Sequence, residues 1–484
     1  MIKLESFDFH IHNLHLRLPF RFGIVTLTAM PHLFVRAKVA INGQSQIGHS
    51  ADFLAFKWFT KNPDSSLRDD VDEMITVIKR AFANAKDAGE QSTVFDLWWE
   101  TRKRQSDWGK SQGLAPLLSG FGTTLVERAL IDAFCRSEKV SFNRAVLENL
   151  LGIDLGRIHS TLGGRQPADF LPKVPLSSTR ARQTVGLGDP IRDADIAGDE
   201  RLHDGLPQSV EECIEFYGLT HLKIKFTADV EHSVERLKAV AAALERSGRD
   251  YAHSLDGNES FRDVDTFRQL WSRLTTDPQL DNFLDRLVFV EQPFHREVTF
   301  DETVTNALLD WDDRPALIID EADSELDSLP RALRGGYSGT SHKNCKGVFK
   351  SIANASYMEQ LRREEPGRKY VLSAEDLTNI GPIGLLQDLA VAATLGIDHV
   401  ERNGQHYFHG LSAFSPEVQE TARKAHSDFF KRYTPELTGV AIQDGQLDLG
   451  SIVAAPFGYG FDFDSGLYTP LEDWRFDSLG LGDA

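Results

Sequence analysis

The stretch HLKIKF, residues 221–226, carries two lysines, Lys223 and Lys225, through a short apolar run. In a strand, residues two apart share a face, so both lysines point one way while Leu222, Ile224 and Phe226 point the other. The same device, a charge closing an apolar run with a helix-like stretch after it, recurs four times downstream. Asp256 closes one run in HSLDGNESF, Glu291 in LVFVEQPF, Asp320 in ALIIDEAD and Lys343 in GTSHKNCKG. Charges at the C-terminal tips of successive strands converge on one mouth when the strands close into a parallel barrel. Three carboxylates and three lysines facing one cavity suit two tasks: holding a hard divalent cation, and removing a proton from the carbon beside a carboxylate.

Outward from that stretch, strand and amphipathic helix keep alternating, which is the signature of βα repetition. RARQTVGLGDP supplies a first strand and THLKIKF a second. YAHSLDGN, LVFVEQP, ALIIDEAD, GTSHKNCKG, YVLSAEDL and IDHVERN follow, which makes eight. Segments such as TFRQLWSRL, ETVTNALLDW, SIANASYMEQLRRE and GLLQDLAVAATLG fit as the helices between them. The sixth strand is the shortest and most polar, and Gly335, Gly336 and Gly339 lower its strand propensity. From Lys225 through Asp256, Glu291 and Asp320 to Lys343 the steps are roughly 31, 35, 29 and 23 residues, near one βα unit each. The longer second step reads as an insertion around residues 275–281, and the Asp- and Gly-rich stretch 188–207 as an inserted loop over the site.

Before the barrel, FDFHIHNLHLRL and HLFVRAKVAINGQ read as antiparallel strands, the second ending in an Asn-Gly turn. Residues 67–150 are mostly helical by period, with TTLVERALIDAFCRS carrying apolar residues three and four apart. The tail holds a helix over TARKAHSDFFKRY and an aromatic loop, PFGYGFDFD. At 484 residues the chain has room for a barrel of about 250 residues and a further domain, and 41% hydrophobic content fills a large core. A net charge of −19 without a Lys/Arg run excludes a phosphate backbone as partner. No apolar run reaches the length of a membrane span, and the N-terminus lacks a signal pattern. Cys135, Cys213 and Cys345, odd in number and without metal-type spacing, point to the reducing cytoplasm.

Taken in order, K-x-K at Lys223 and Lys225, L-D-G-N around Asp256, V-E-Q-P around Glu291, D-E at Asp320 and Glu321 and K-x-x-K-G from Lys343 resemble the enolase superfamily. Within it they are similar to the muconate lactonizing enzyme and mandelate racemase type. The resemblance covers nearly the whole chain and implies an α/β fold. It comprises an α+β capping domain over residues 1–165, a modified (β/α)8 TIM-type barrel over 166–430, and a C-terminal segment over 431–484 that returns to the cap. It also implies a Mg²⁺-dependent isomerase or lyase that takes the proton α to a carboxylate through an enediolate. Racemisation or epimerisation, cycloisomerisation and dehydration are the reactions so implied. Asp256, Glu291 and Asp320 would hold one Mg²⁺ per site, with Glu321 the alternative to Asp320 because alternation turns only one of them inward. Lys225 and Lys343 would be opposed bases, with Lys346 behind Lys343. Lys223, a like charge beside Lys225, is expected to disfavour protonation of its neighbour. The implied partners are a small-molecule carboxylate and further copies of the chain in a homo-oligomer.

Departures from the family narrow the substrate. The seventh strand ends in Ser373, Ala374, Glu375 and Asp376, with no histidine for a His/Asp dyad. The eighth carries Glu401, Arg402 and Asn403 in place of the Asp-x-Asp that dipeptide epimerases use for an ammonium group. Glu375, Glu401 and Asn403, with His399, Gln405 and His406, make a polar rim, so a polar carboxylic acid is expected. The segments 20–26 and 48–56 match the family's cap loops. Arg21, His49, Asp52 and Lys57 are their polar groups, and Phe20, Phe22, Phe53 and Phe56 are there to exclude water. His295, His342 and Asn344 read as hydrogen-bonded loop residues outside the catalytic core. The alternative is a non-catalytic carboxylate- or metal-binding protein that keeps the fold. Two opposed bases argue against it, because binding alone needs neither.

Overall fold

The computed structural model describes residues 1–375 and 377–481. The N-terminal sheet is built from β1 (Ile2–Phe22), β2 (Val25–Ile41) and β3 (Gln44–Phe53), all antiparallel. The turn between β2 and β3 has both Asn42 and Gly43 at positive φ, as a two-residue hairpin with the right-handed strand twist requires. Three helices back the sheet: α1 (Leu67–Asp87), α2 (Val94–Ser111) and α3 (Pro116–Glu138). Ser66 and Asp69 close a capping box at the start of α1. Nearly every residue of α3 is buried, because α1, α2 and β3 pack on different sides of it. A Cβ at Gly48 would stand 2.1 Å from the Ala129 carbonyl oxygen, so only glycine lets β3 approach α3 this closely.

The barrel strands are β4 (Ser178–Val185), β5 (His221–Lys225), β6 (Ala252–Asp256), β7 (Leu287–Glu291), β8 (Leu317–Ile319), β9 (Gly339–His342), β10 (Val371–Ala374) and β11 (His399–Glu401). Each pairs in parallel with the next, and β11 pairs with β4, which closes the ring. The weak sixth strand is present as β9. In the tail, β12 (Phe430–Thr434) and β13 (Leu437–Val440) form a hairpin, and β14 (Gln446–Asp448) adds antiparallel to the start of β4. Finally β15 (Thr469–Pro470) pairs with His10 and Ile11 of β1, so the chain end adds to the cap sheet. One hydrophobic core runs through cap, barrel and tail.

Two sequence expectations need adjustment. The helix expected over TARKAHSDFFKRY stops at Ala425, and its FFKRY portion supplies β12, where Phe430 pairs with Val440. The aromatic residues Phe429, Phe430 and Tyr433 favour the ladder over a further helical turn. The stretch 188–207 is pinned to the cap strand: Arg17 donates to Asp204 at 2.6 Å and to the Pro207 carbonyl at 3.2 Å. Cys135, Cys213 and Cys345 are buried and unpaired. Among the described residues, no helix is long and apolar enough to cross a membrane.

Candidate active site

The strand register sets the site. Lys225 pairs with Asp256 and Asp256 with Glu291, so three charges sit side by side at the tips of β5, β6 and β7. Asp320 follows the last residue of β8, Lys343 the last of β9 and Glu375 the last of β10, while Glu401 ends β11. All are buried. The loops behind the tips aim these side chains. The Asn258 amide donates to Asp256 Oδ1 at 2.8 Å. A Cβ at Gly257 would lie 2.7 Å from Pro293 Cα, so the D-G-N and E-Q-P segments lean on each other. Gln292 Oε1 accepts from the backbone N–H groups of Asp320 and Ala322 at 2.7 and 3.2 Å, which fixes the tip of β8. These contacts give the short motifs a mechanical reason.

Charges in the mouth neutralise one another. Lys225 Nζ donates to Asp256 Oδ2 at 2.7 Å. Lys223 Nζ lies 3.0 Å from Asp256, 2.8 Å from Glu291, 2.9 Å from Glu375 and 3.3 Å from Glu401. Lys343 Nζ donates to Asp320 Oδ2 at 2.8 Å, and Lys346 holds Oδ1 at 3.0 Å with Ser341 beside it. Burial alone would lower the Lys223 ammonium, yet Asp256, Glu291 and the other carboxylates outweigh it and hold the group well above its ordinary range. The same contest, won by Asp320, keeps Lys343 high. Lys223, expected to act on Lys225 as a like charge, is itself surrounded by four carboxylates. Burial pushes Glu291 well above the carboxylate range, with Glu375 adding to the effect and Lys223 opposing it. Burial would also raise Asp320, but Lys343 and Lys346 hold it well below.

Asp320 and Glu321 separate cleanly. Asp320 lines the mouth with Lys223, Lys225, Asp256, Lys343, Glu401 and Asn403, and Glu321 does not. Burial, reinforced by Asp320, pushes Glu321 up to about 7. Likewise Lys343 lines the mouth, while Lys346 sits behind Asp320. Glu375 turns away toward Arg182 and Lys223, and Glu401 accepts from the Thr184 hydroxyl and from Asn403.

Asp256, Glu291 and Asp320 do not close into a ligand shell, because Lys223 stands between the first two and Lys343 covers the third. Among the described residues, no group of three or more His, Cys, Asp and Glu side chains is gathered closely enough to hold a metal ion. The donor set nevertheless fits a hard cation on one observation. Glu291 is completely buried and neither of its oxygens accepts a hydrogen bond. Lys223 Nζ stands 2.8 Å from Oε2 as an ion pair, and the remaining bonding capacity of this buried carboxyl group is what a cation would satisfy.

The cap supplies the roof. Phe20 and Phe22 come from the end of β1, Leu27 and Met30 from β2, and Ala55 and Trp58 from the loop after β3. The Trp58 ring centre is 4.5 Å from Lys343 Nζ and the Phe22 ring centre 6.0 Å from Lys225 Nζ. None of the polar cap groups expected in the site lines this mouth. Arg21 is exposed on an outer groove beside Asp189 and Arg236. His49 is held by Asp132 and Tyr459, and Asp52 by Arg128, because that part of β3 faces α3. Lys57 bonds Ser65 and the Asn62 carbonyl. Phe53 and Phe56 are core residues. His342 meets Ser351 at 2.7 Å, and His399 stacks on His221 at the start of β11, away from the rim. Asp376 lies outside the described residues.

Sequence reasoning missed Arg182, which is wholly buried on β4 and donates to Ser254 at 2.6 Å, Ser373 at 2.7 Å and Glu375. Its only signal was the shared strand face with Thr184, two residues on. Trp58 was passed over within a stretch read as loop.

A closed eight-strand parallel barrel under an antiparallel cap sheet that the tail helps complete is the fold of the enolase superfamily. Similar solved structures include muconate lactonizing enzyme from Pseudomonas fluorescens in complex with muconolactone. It is 14% identical with a TM-score of 0.59, over 97% of this chain and 99% of that one. A mandelate racemase/muconate lactonizing protein from Herpetosiphon aurantiacus is 17% identical with a TM-score of 0.58, over 95% and 99%. A dipeptide epimerase from Enterococcus faecalis V583, solved with Mg and L-Leu-L-Tyr, is 14% identical with a TM-score of 0.58, over 95% and 100%. No family model and no curated protein sequence matches the chain.

Proposed function

We propose that the protein is an isomerase or lyase that removes the proton α to the carboxylate of a small acid. The observation that carries this reading is the pair Lys225 and Lys343, which come from the second and sixth strands of the ring and line one mouth. Strands four apart in a ring of eight stand across from each other, so the two amines address opposite faces of a bound acid. In racemisation or epimerisation, one Nζ takes the proton from the α-carbon, leaving an enediolate, and the other returns a proton from the far face. In a dehydration or cycloisomerisation, one lysine handles the proton and the other stabilises charge. Asp256, Glu291 and Asp320 are the residues that would hold Mg²⁺, which supplies positive charge to offset that of the enediolate. Lys223, tied to Glu375 and Glu401, positions the β5 tip, and the cap residues over the mouth exclude water.

Racemase, epimerase and lactonizing activities in the names of proteins with the same fold support this class of reaction. A capping unit over residues 1–165, a barrel over 166–430 and a tail over 431–484 go with it, as does a reducing cytoplasm for three buried thiols. The test is α-proton exchange in deuterium oxide, followed by NMR across a library of acids with Mg²⁺ present. Exchange by the native protein is expected, with a loss of about 10²- to 10⁴-fold in Lys225→Met or Lys343→Met. Binding of acids without any exchange would leave a carboxylate-binding protein in its place.

A further inference from the structure

Resting on that reading of the site, we propose that the substrate is a carboxylate with an apolar body, aromatic, alicyclic or branched, lying under the cap. The two halves of the mouth divide by polarity. Every cap residue that lines it is apolar: Phe20, Phe22, Leu27, Met30, Ala55 and Trp58. The barrel half carries the charges, and these are committed to one another as Lys225 with Asp256, Lys343 with Asp320, and Lys223 with Glu401. Only a negative group with its α-carbon belongs between those lysines. What extends from it toward the cap meets hydrocarbon.

A polyhydroxylated acid fits this cleft poorly. Each hydroxyl buried against Phe, Leu or Met without a partner costs roughly 1–3 kcal/mol. Among the described residues, Asn403 Oδ1 and Asn258 Oδ1 are buried without a hydrogen-bond partner, which accommodates one or two donors close to the carboxylate. The rim that favoured a polar acid is otherwise spent inside the barrel, where Glu375 serves Arg182 and Lys223 and Glu401 serves Thr184 and Lys223.

The apolar roof is also fixed in place. Arg296 donates to the carbonyls of Trp58 and Phe59 at 2.9 and 2.8 Å while its Nε holds Glu259 at 2.7 Å, so the cap loop is stapled to the segment after β7. A roof held this way selects by shape and dryness.

The experiment compares two panels in deuterium oxide with Mg²⁺: aryl-, cycloalkyl- and branched-alkyl-substituted acids against sugar acids. Calorimetric titration with benzoate, which has no proton on its α-carbon and so binds without reacting, runs alongside. Exchange confined to the apolar panel is expected, with Leu27→Asn and Met30→Gln each lowering kcat/KM for those acids tenfold or more while both variants keep native circular dichroism. Exchange confined to sugar acids would overturn this proposal and leave proton abstraction standing. Benzoate binding without exchange of any acid would support the apolar pocket and sink the catalytic reading. Failure of both exchange and benzoate binding would overturn the pocket assignment.

Discussion

Arg128 and Glu291 are both wholly buried, yet each of the three Arg128 nitrogens donates a hydrogen bond while neither Glu291 oxygen accepts one. Arg128 belongs to a cluster behind the cap sheet. It holds the carbonyls of Thr124 and Ala51 and the carboxylate of Asp52, whose other oxygen takes the Phe53 N–H. Beside it, Asp132 accepts from the His49 N–H, the Tyr459 hydroxyl and Arg136. Glu291 ends β7 beside the mouth, where its contact with Lys223 is an ion pair without hydrogen-bond geometry. Asn258 and Asn403 also hold an idle oxygen there. A buried charge whose bonding capacity is used up ties elements together; one whose capacity is left open is costly to keep and is poised for a ligand. Burial alone therefore does not separate structural from functional charge. Saturation does.

That contrast can be broken by mutation. The largest effect on stability is expected from Arg128→Met, which leaves Asp52 buried beside an apolar side chain. Urea unfolding should show a loss of about 3–5 kcal/mol, and a variant as stable as the native protein would remove Arg128 from the structural class. Next comes Tyr459→Phe, which deletes one donor to the Asp132 carboxylate. A hydrogen bond to a charged group is worth about 1.5–3 kcal/mol, and the unfolding midpoint should fall accordingly. The smallest effect on stability belongs to Glu291→Gln, which sacrifices no hydrogen bond and leaves Lys223 its ion pairs with Asp256, Glu375 and Glu401. Its unfolding free energy should stay within about 1 kcal/mol of native, even though calorimetric titration loses the heat of Mg²⁺ binding. A destabilisation as large as that of Arg128→Met would place Glu291 with the structural ties.

The barrel was legible because charge and period coincide. A charge at the end of each apolar run can be read directly from Lys225, Asp256, Glu291 and Asp320, and the strand register puts them at adjacent tips. Even β9, poor in strand propensity, forms, because its neighbours β8 and β10 supply hydrogen bonds on both sides. What the sequence withheld is which partner each polar side chain meets. His49 and Asp52 stand in the stretch that matches a cap loop, but the facing surface is α3, and nothing local to GHSADF announces Arg128 or Asp132. Arg182 was missed for the opposite reason, since a basic residue in RARQTV reads as a solvated edge until Glu375 arrives from β10. The short polar segments were recognised as motifs, yet the work of Gln292 in holding the Asp320 backbone depends on a strand 28 residues away.

The claim on which the functional account rests is that Lys225 and Lys343 face one α-carbon from opposite sides. The most direct measurement is enantiomer-resolved deuterium incorporation into a chiral acid that the native protein exchanges, carried out with Lys225→Met and Lys343→Met separately. The expected result is complementary: each variant loses exchange on one enantiomer, by about 10²- to 10⁴-fold, and keeps it on the other. Exchange of both enantiomers at native rates by both variants would contradict the account.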